Sequence, residues 1–136
     1  MITLIGHGYI GQAIWNVLQY QRQMPAYWIR HGENIPKDTQ IIVNAAGYTG
    51  SPNVDACEIH KEDTISGNVL WPVNLEIQNP NTPIIHISSG CVYTGYEKDF
   101  TEEDEPNFNF DNGSFYSGSK ALEQKLLAPY MNKSYI

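Results

Sequence analysis

Apolar residues come in short bursts along this chain, and the spacing inside each burst changes from strand-like to helical. Met1-Ile2-Thr3-Leu4-Ile5 is a β-prone run that predicts a first strand. Beyond it Ile10, Ile14, Val17 and Leu18 recur at helical spacing and predict an amphipathic helix. Ala26-Tyr27-Trp28-Ile29 predicts a second strand. Gln40-Ile41-Ile42-Val43-Asn44 predicts a third, apolar enough to be buried on both faces as parallel strands are. Residues 53–78 read as helical in two pieces, with Pro72 interrupting the second, and Pro83-Ile84-Ile85-His86-Ile87-Ser88 as a fourth strand. Residues 97–113 hold most of the local acidity without an apolar period and predict an exposed loop. Ser114, or the residues just before it, is placed to cap a helix carrying Tyr116, Lys120, Leu122, Leu126 and Leu127. Ser134-Tyr135-Ile136 reads as the start of another strand. The βαβαβαβα order predicts an α/β protein, a Rossmann-like, doubly wound parallel sheet.

With 136 residues, 41% of them apolar, the chain suits a single domain, residues 1–136, and leaves no room for a second. Fifteen acidic residues against eight basic ones give a formal charge of -7, which argues against a phosphate-backbone binder, so no nucleic acid is expected. There is no apolar run of membrane-spanning length and no signal-peptide pattern at the amino terminus, so the expectation is no membrane association and a cytoplasmic location. The two cysteines, Cys57 and Cys91, form no metal-binding pattern, and an intracellular setting argues against pairing them.

The joins carry the chemistry. Gly6-His7-Gly8-Tyr9-Ile10-Gly11 lies between a strand and a helix, the context in which Gly-x-Gly-x-x-Gly means dinucleotide binding. Gly6 suits the tight turn, Gly8 lets backbone approach a pyrophosphate, and Gly11 allows the helix to pack on the strand. Tyr9 and Ile10 complete the turn at the helix amino terminus, which would face the anion. Arg30, at the end of the second strand, stands where an NAD-specific site usually carries an acid. It could pair with a 2′-phosphate, which favours NADPH and leaves NAD possible. Asn44, Ala45, Ala46 and Gly47 keep the exit of the third strand small enough for a cofactor, though small side chains equally suit close packing. Ser89 and Cys91 follow the fourth strand at its carboxyl end, where open α/β sheets bind ligands. Tyr116 and Lys120, four residues apart, share one helix face, and a fixed cation makes a phenolate easier to form. Such a pair also occurs as solvated helix surface. His86 in mid-strand reads as packed, and His7 receives no role. As a hypothesis, Pro72 frees the carbonyl of Asn68 to hold a water on a proton path from Lys120.

With the glycine turn, Asn44-Ala45-Ala46-Gly47, a strand-end serine and Tyr116-x-x-x-Lys120 in order, the chain resembles the extended short-chain dehydrogenase/reductases along its whole length. Asn44 to Glu58 and Glu102 to Phe108 look most like the bifunctional 3,5-epimerase/4-reductases of nucleotide-rhamnose synthesis, with the bacterial dTDP-4-dehydrorhamnose reductases further off. The resemblance implies an NADPH-dependent enzyme acting on a nucleotide sugar, a UDP- or dTDP-linked 4-keto-6-deoxyhexose. It makes Ser89 the hydroxyl partner of the substrate carbonyl and Tyr116 the proton donor. It makes Lys120 the group that lowers the tyrosine pKa and binds the nicotinamide ribose, so Tyr116 and Lys120 also touch the cofactor. By the same resemblance Cys91, two residues after Ser89, exchanges protons at the carbons flanking the keto group. Cys57 has no such support.

Extended members of the family are substantially longer. The resemblance therefore implies that the later strands, much of the nucleotide-sugar pocket and the second acid/base residue of the epimerisation lie outside this chain, so the sheet is expected to be truncated. Its exposed final edge predicts pairing with another chain, including a homo-oligomer. Two other readings stay open: a dehydratase or C4-epimerase that recycles bound NAD, and a non-enzymatic NADP-binding interaction module.

Overall fold

β-branched and apolar residues at Ile2–Ile5 form β1, buried from Thr3 onward. The computed structural model, which describes Met1–Ile136, pairs this strand on both sides. β2 (Ala26–Ile29) lies on one side and β3 (Ile41–Asn44) on the other, both parallel to β1. β4 (Ile84–His86) joins the far edge of β3 in the same sense. The order is β2-β1-β3-β4, so the chain reverses direction across β1. That reversal puts a topological switch point at the carboxyl ends of β1 and β3, where Ile5 stands beside Asn44. Tyr135 adds an isolated parallel bridge to Ile85, with its N–H donating to the Ile84 carbonyl and its carbonyl accepting from the His86 N–H, where a strand is expected at Ser134-Tyr135-Ile136.

The α/β class and the parallel sheet agree with the expectation, but one join does not. The β2–β3 connection, residues 30–40, carries turns and no helix, so the full βαβαβαβα alternation is corrected there. Its sequence, with two glycine- or proline-containing turns and no apolar period, has nothing to bury against the sheet.

The chain divides into two compact units. The first comprises residues 1–47, 75–87 and 129–136, and the second residues 48–74 and 88–128. In the first unit, Leu4, Ile5, Ile42, Leu75 and Ile84 are fully or almost fully buried around the sheet. A polar cluster lies among them. Glu76, wholly buried, accepts from Lys133 and lies 3.1 Å from Nε2 of His86. Lys133 also donates to the carbonyl of Thr82 at 3.2 Å, and the Ser134 hydroxyl accepts from the Ile84 N–H at 3.2 Å. Burial would raise the Glu76 carboxyl, but hydrogen bonds from Lys133, Ser134 and His86 outweigh it and hold the group below its usual value. His86 is therefore packed and paired, as its mid-strand position implied.

The second unit is built around α4 (Phe115–Leu127), which buries Ser117 to Ala121, Glu123 and Leu127. Ser114 caps it by accepting from the Ser117 N–H at 3.1 Å, the expected cap, and Glu58 accepts from the Phe115 N–H at 2.6 Å. Against it pack a 3-10 turn at Val54–Glu58, α2 (Lys61–Ile65) and a π-helical turn at Ser66–Leu70. Pro72 lies inside one unbroken helical run made of α2, the π-helical turn and α3 (Trp71–Gln78), and the regular pattern gives way in the π turn directly before it, as expected where a proline removes an N–H from the ladder. No helix is long and apolar enough to cross a membrane.

Candidate active site

In the first unit the turn after β1 is shaped by what its glycines lack. Gly6 has φ +109°, a conformation that favours glycine, and a Cβ there would lie 2.8 Å from the backbone of Ala45 and Ala46. A Cβ on Gly11 would stand 2.1 Å from the Gly6 carbonyl oxygen. The first helix, α1 (Tyr9–Asn16), therefore sits directly on the end of β1, and the Trp28 indole N–H donates to that same carbonyl at 2.9 Å. Gly8 differs: nothing lies within 4 Å of the position of its Cβ, and Tyr9 is 89% exposed. Two glycines are consumed by packing and the middle one faces open space, which is the division of labour a dinucleotide's pyrophosphate needs. The cradle thus fits the implied cofactor.

The other predicted cofactor residues separate on inspection. Ile10 is half exposed in the first turn of α1. Asn44 is 2% exposed and turned inward: its amide oxygen accepts from the Ala46 N–H at 3.3 Å and its amide nitrogen lies 3.3 Å from Nδ1 of His86. It braces the β3 exit, where Ala45 and Ala46 are half-buried and Gly47 is exposed. Arg30 is exposed at the end of β2, and its backbone N–H donates to Glu33 at 2.7 Å. An acid therefore does stand close to the arginine, three residues on, in a place that spacing from the glycines did not single out.

The second unit brings together the four residues expected to carry chemistry. Ser89, in extended conformation, caps the short 3-10 turn Gly90–Val92 by accepting from the Cys91 N–H at 3.1 Å. That leaves its own proton available, and its hydroxyl is hydrogen-bonded to the phenol of Tyr116. Cys91 is exposed, unlike the inert buried Cys57. Lys120 and Glu123, three residues apart on α4, form an ion pair with side chains only 7% and 2% exposed.

Burial pushes the Tyr116 phenol above its ordinary value. The Ser89 hydrogen bond opposes this, and Cys91, Glu123 and Cys57 add to it. The direction is opposite to the lowering expected from Lys120. Burial also raises the Glu123 carboxyl, against the pull of Lys120.

Asn68 enters through its side chain. It lies in the π-helical turn, 2% exposed, where its amide oxygen accepts from the Tyr48 N–H at 2.7 Å. Its amide nitrogen donates to the Tyr48 carbonyl at 2.9 Å and the Ser119 hydroxyl at 3.2 Å. Neighbouring Gly67 permits this approach, since a Cβ there would meet the Tyr48 backbone N at 3.2 Å. Glu123 and Asn68 are the residues that sequence reasoning missed or misread. The spacing of Lys120 and Glu123 was the available signal, but such pairs are ordinarily solvent-exposed.

No protein-family model matches the chain. It is 41% identical over 100 residues to a bifunctional dTDP-4-dehydrorhamnose 3,5-epimerase/dTDP-4-dehydrorhamnose reductase of Arabidopsis thaliana, a match covering 67% of this chain and 32% of that protein. Over another 100-residue match it is 39% identical to a trifunctional UDP-glucose 4,6-dehydratase/UDP-4-keto-6-deoxy-D-glucose 3,5-epimerase/UDP-4-keto-L-rhamnose-reductase of the same plant, covering 67% of this chain and 14% of that one. Among solved structures, a dTDP-4-dehydrorhamnose reductase of Clostridium acetobutylicum superposes with a TM-score of 0.81 at 24% identity, covering 99% of this chain and 51% of that chain. The Bacillus anthracis dTDP-4-dehydrorhamnose reductase in complex with NADP gives 0.77 at 17% identity, covering 98% and 50%. At these identities the structural likeness establishes the Rossmann-like fold. The chain spans a third or less of the length of the curated relatives it matches and about half of these solved chains.

Proposed function

We propose that this chain, a homologue of the rhamnose-synthesis epimerase/reductases, carries the cofactor cradle and proton-transfer groups of an NADPH-dependent nucleotide-sugar 3,5-epimerase/4-reductase. Its substrate would be a UDP- or dTDP-linked 4-keto-6-deoxyhexose. The observation that carries this reading is the grouping in the second unit of the Ser89–Tyr116 hydroxyl pair with an exposed thiol, Cys91, on the turn that Ser89 caps.

The cradle of Gly6, Gly8 and Gly11 would hold the pyrophosphate, with Arg30 near the 2′-phosphate. Bound NADPH would supply a hydride to the sugar's carbonyl carbon. The chain's own task is to manage the oxygen and the neighbouring protons. As negative charge develops on the carbonyl oxygen, two hydroxyls donate toward it, and Tyr116 gives up its proton. Its raised pKa suits a donor, because the phenol stays protonated at neutral pH. Cys91 is exposed and would take and return protons at carbons acidified by the ketone, work for which a thiolate must form.

The test is direct. With NADPH and a UDP-linked 4-keto-6-deoxyglucose in deuterated water, the protein should exchange deuterium into the sugar at the carbons flanking its ketone and then reduce the ketone. Tyr116→Phe should lose reduction by at least about a hundredfold while keeping NADPH binding, consistent with the usual worth of a general acid. Cys91→Ser should lose deuterium uptake more than reduction of an already epimerised ketone. Unchanged turnover in Tyr116→Phe, or failure to bind NADPH, overturns the reading.

A further inference from the structure

Within the first unit, the buried polar cluster on Glu76 runs on through His86 and Asn44 to the exit of β3, and the hydrogens along it are directed by its two ends. At one end the Ala46 backbone N–H donates to the Asn44 amide oxygen at 3.3 Å. A backbone N–H only donates, so that oxygen is identified, and the Asn44 amide nitrogen is the atom 3.3 Å from Nδ1 of His86. The amide nitrogen is itself only a donor. Nδ1 must therefore be bare, with the imidazole neutral and its hydrogen on Nε2, directed at Glu76 Oε1 at 3.1 Å. At the other end Lys133, again a donor without an acceptor, holds Glu76 Oε2. Glu76, His86 and Asn44 are all buried, so reversing any one bond would set two donors against each other away from water.

An ionised carboxylate closes this chain and its amide does not. Glutamine at position 76 would have to give its oxygen to Lys133, which leaves its NH2 against Nε2 of His86. An imidazole that accepts there carries its hydrogen on Nδ1, facing the Asn44 NH2. The far end of the chain is where this matters. A Cβ on Gly6 would lie 2.8 Å from the backbone of Ala45 and Ala46, and the Ala45 N–H donates to the Ile5 carbonyl at 2.9 Å, so the β3 exit and the glycine turn share one constraint.

We propose that Glu76 is a positioning residue for the dinucleotide: by holding His86 in its Nε2–H form it orients the Asn44 amide, which pins the Ala46 N–H and with it the glycine turn that receives the pyrophosphate. This rests on the cofactor reading of the turn for its purpose, and on hydrogen-bond directions for its mechanism. A turn held in place before the cofactor arrives need not be ordered on binding, so the relay is read out as affinity.

Nitrogen NMR of the protein without cofactor reads the tautomer directly, because a ring nitrogen that bears hydrogen and one that is bare resonate far apart. His86 should carry its hydrogen on Nε2 in the parent and on Nδ1 in Glu76→Gln. In that variant exchange of the Ala46 amide hydrogen should quicken on the order of fivefold, the factor that one net hydrogen bond is worth. NADPH affinity, by fluorescence titration, should fall by a similar factor.

Lys133→Met/Glu76→Gln separates positioning from simple loss of stability. Lys133 also donates to the carbonyls of Asn79 and Thr82, so the second substitution destabilises further. Without the ammonium, however, the glutamine oxygen turns to His86 and its NH2 to the Ser134 hydroxyl, which hydrogen-bonds Glu76 in the parent. The Nε2–H form, the slow Ala46 exchange and the NADPH affinity should then return toward parent values. A parent with its hydrogen on Nδ1, or a Glu76→Gln variant that keeps it on Nε2, overturns the proposal. So does a changed tautomer whose affinity stays within about twofold of a parent that binds NADPH, or a double variant that binds no better than the single one. A parent that does not bind NADPH refutes the cofactor reading instead, and the tautomer and the Ala46 exchange still decide the relay.

Discussion

Asn68 offers a stability test whose size can be worked out before it is run. Its amide makes three hydrogen bonds at 2.7, 2.9 and 3.2 Å and is 2% exposed, so Asn68→Ala leaves both backbone groups of Tyr48 without this partner. A typical net loss is about 1 kcal/mol per hydrogen bond, rising to about 1–3 kcal/mol where the orphaned group stays dry. Tyr48 is only half-buried, which admits water to part of the gap and holds the sum to about 2–4 kcal/mol. Against a total stability on the order of 10 kcal/mol for a chain of this size, that is a large fraction. Urea unfolding followed by circular dichroism should show the midpoint falling by about 1–2 M with little change in slope. Asn68→Asp should be worse than its near-identical shape suggests, because a carboxylate oxygen would then face the Tyr48 carbonyl. A loss below about 0.5 kcal/mol in Asn68→Ala, within the range of ordinary surface substitutions, would refute the view that this amide clamps the segment.

Three further outcomes follow from other parts of the molecule. Gly11→Ala forces a methyl against the Gly6 carbonyl and should cost about 1–3 kcal/mol or more in thermal unfolding. Gly8→Ala meets nothing and keeps an ordinary φ of -75°, so its stability should stay within about 0.5 kcal/mol while NADPH affinity, read by fluorescence titration, falls on the order of tenfold. Glu76 has a folded pKa below its unfolded value of 4.5, so its contribution is present above that pH and is lost as pH falls through the folded pKa. The stability gap between the protein and Glu76→Gln should accordingly be widest near neutrality and narrow in acid, and a gap independent of pH would contradict the pairing.

The glycine turn was legible because each glycine answers a local constraint that can be stated from sequence. The strands were legible because their apolar runs are short and bounded. The turn-rich β2–β3 join was not: the βαβαβαβα order implies a helix there, although nothing in residues 30–40 has an apolar face. Pro72 marks the break from sequence alone, because its missing N–H and its ring disturb the helix one turn back, where the π turn lies. Asn68 and Glu123 were hidden for a different reason. Both are polar residues at helical positions where exposure is the usual fate, and only the packing of α4 against the preceding segments makes them buried and therefore consequential.

Ser89 has one hydroxyl group, and it serves two neighbours. Its oxygen accepts from the Cys91 N–H and so holds the turn that carries the thiol, while its hydrogen bond to Tyr116 concerns the phenol. A Ser89→Ala variant would disturb both at once, and its phenotype could not be assigned to either. Threonine keeps both: the extended backbone at φ -149° and ψ 141° suits a β-branched side chain, and the hydroxyl is retained. Valine at the same position keeps the threonine shape and loses the oxygen. The threonine-to-valine step, rather than serine-to-alanine, isolates what this hydroxyl does.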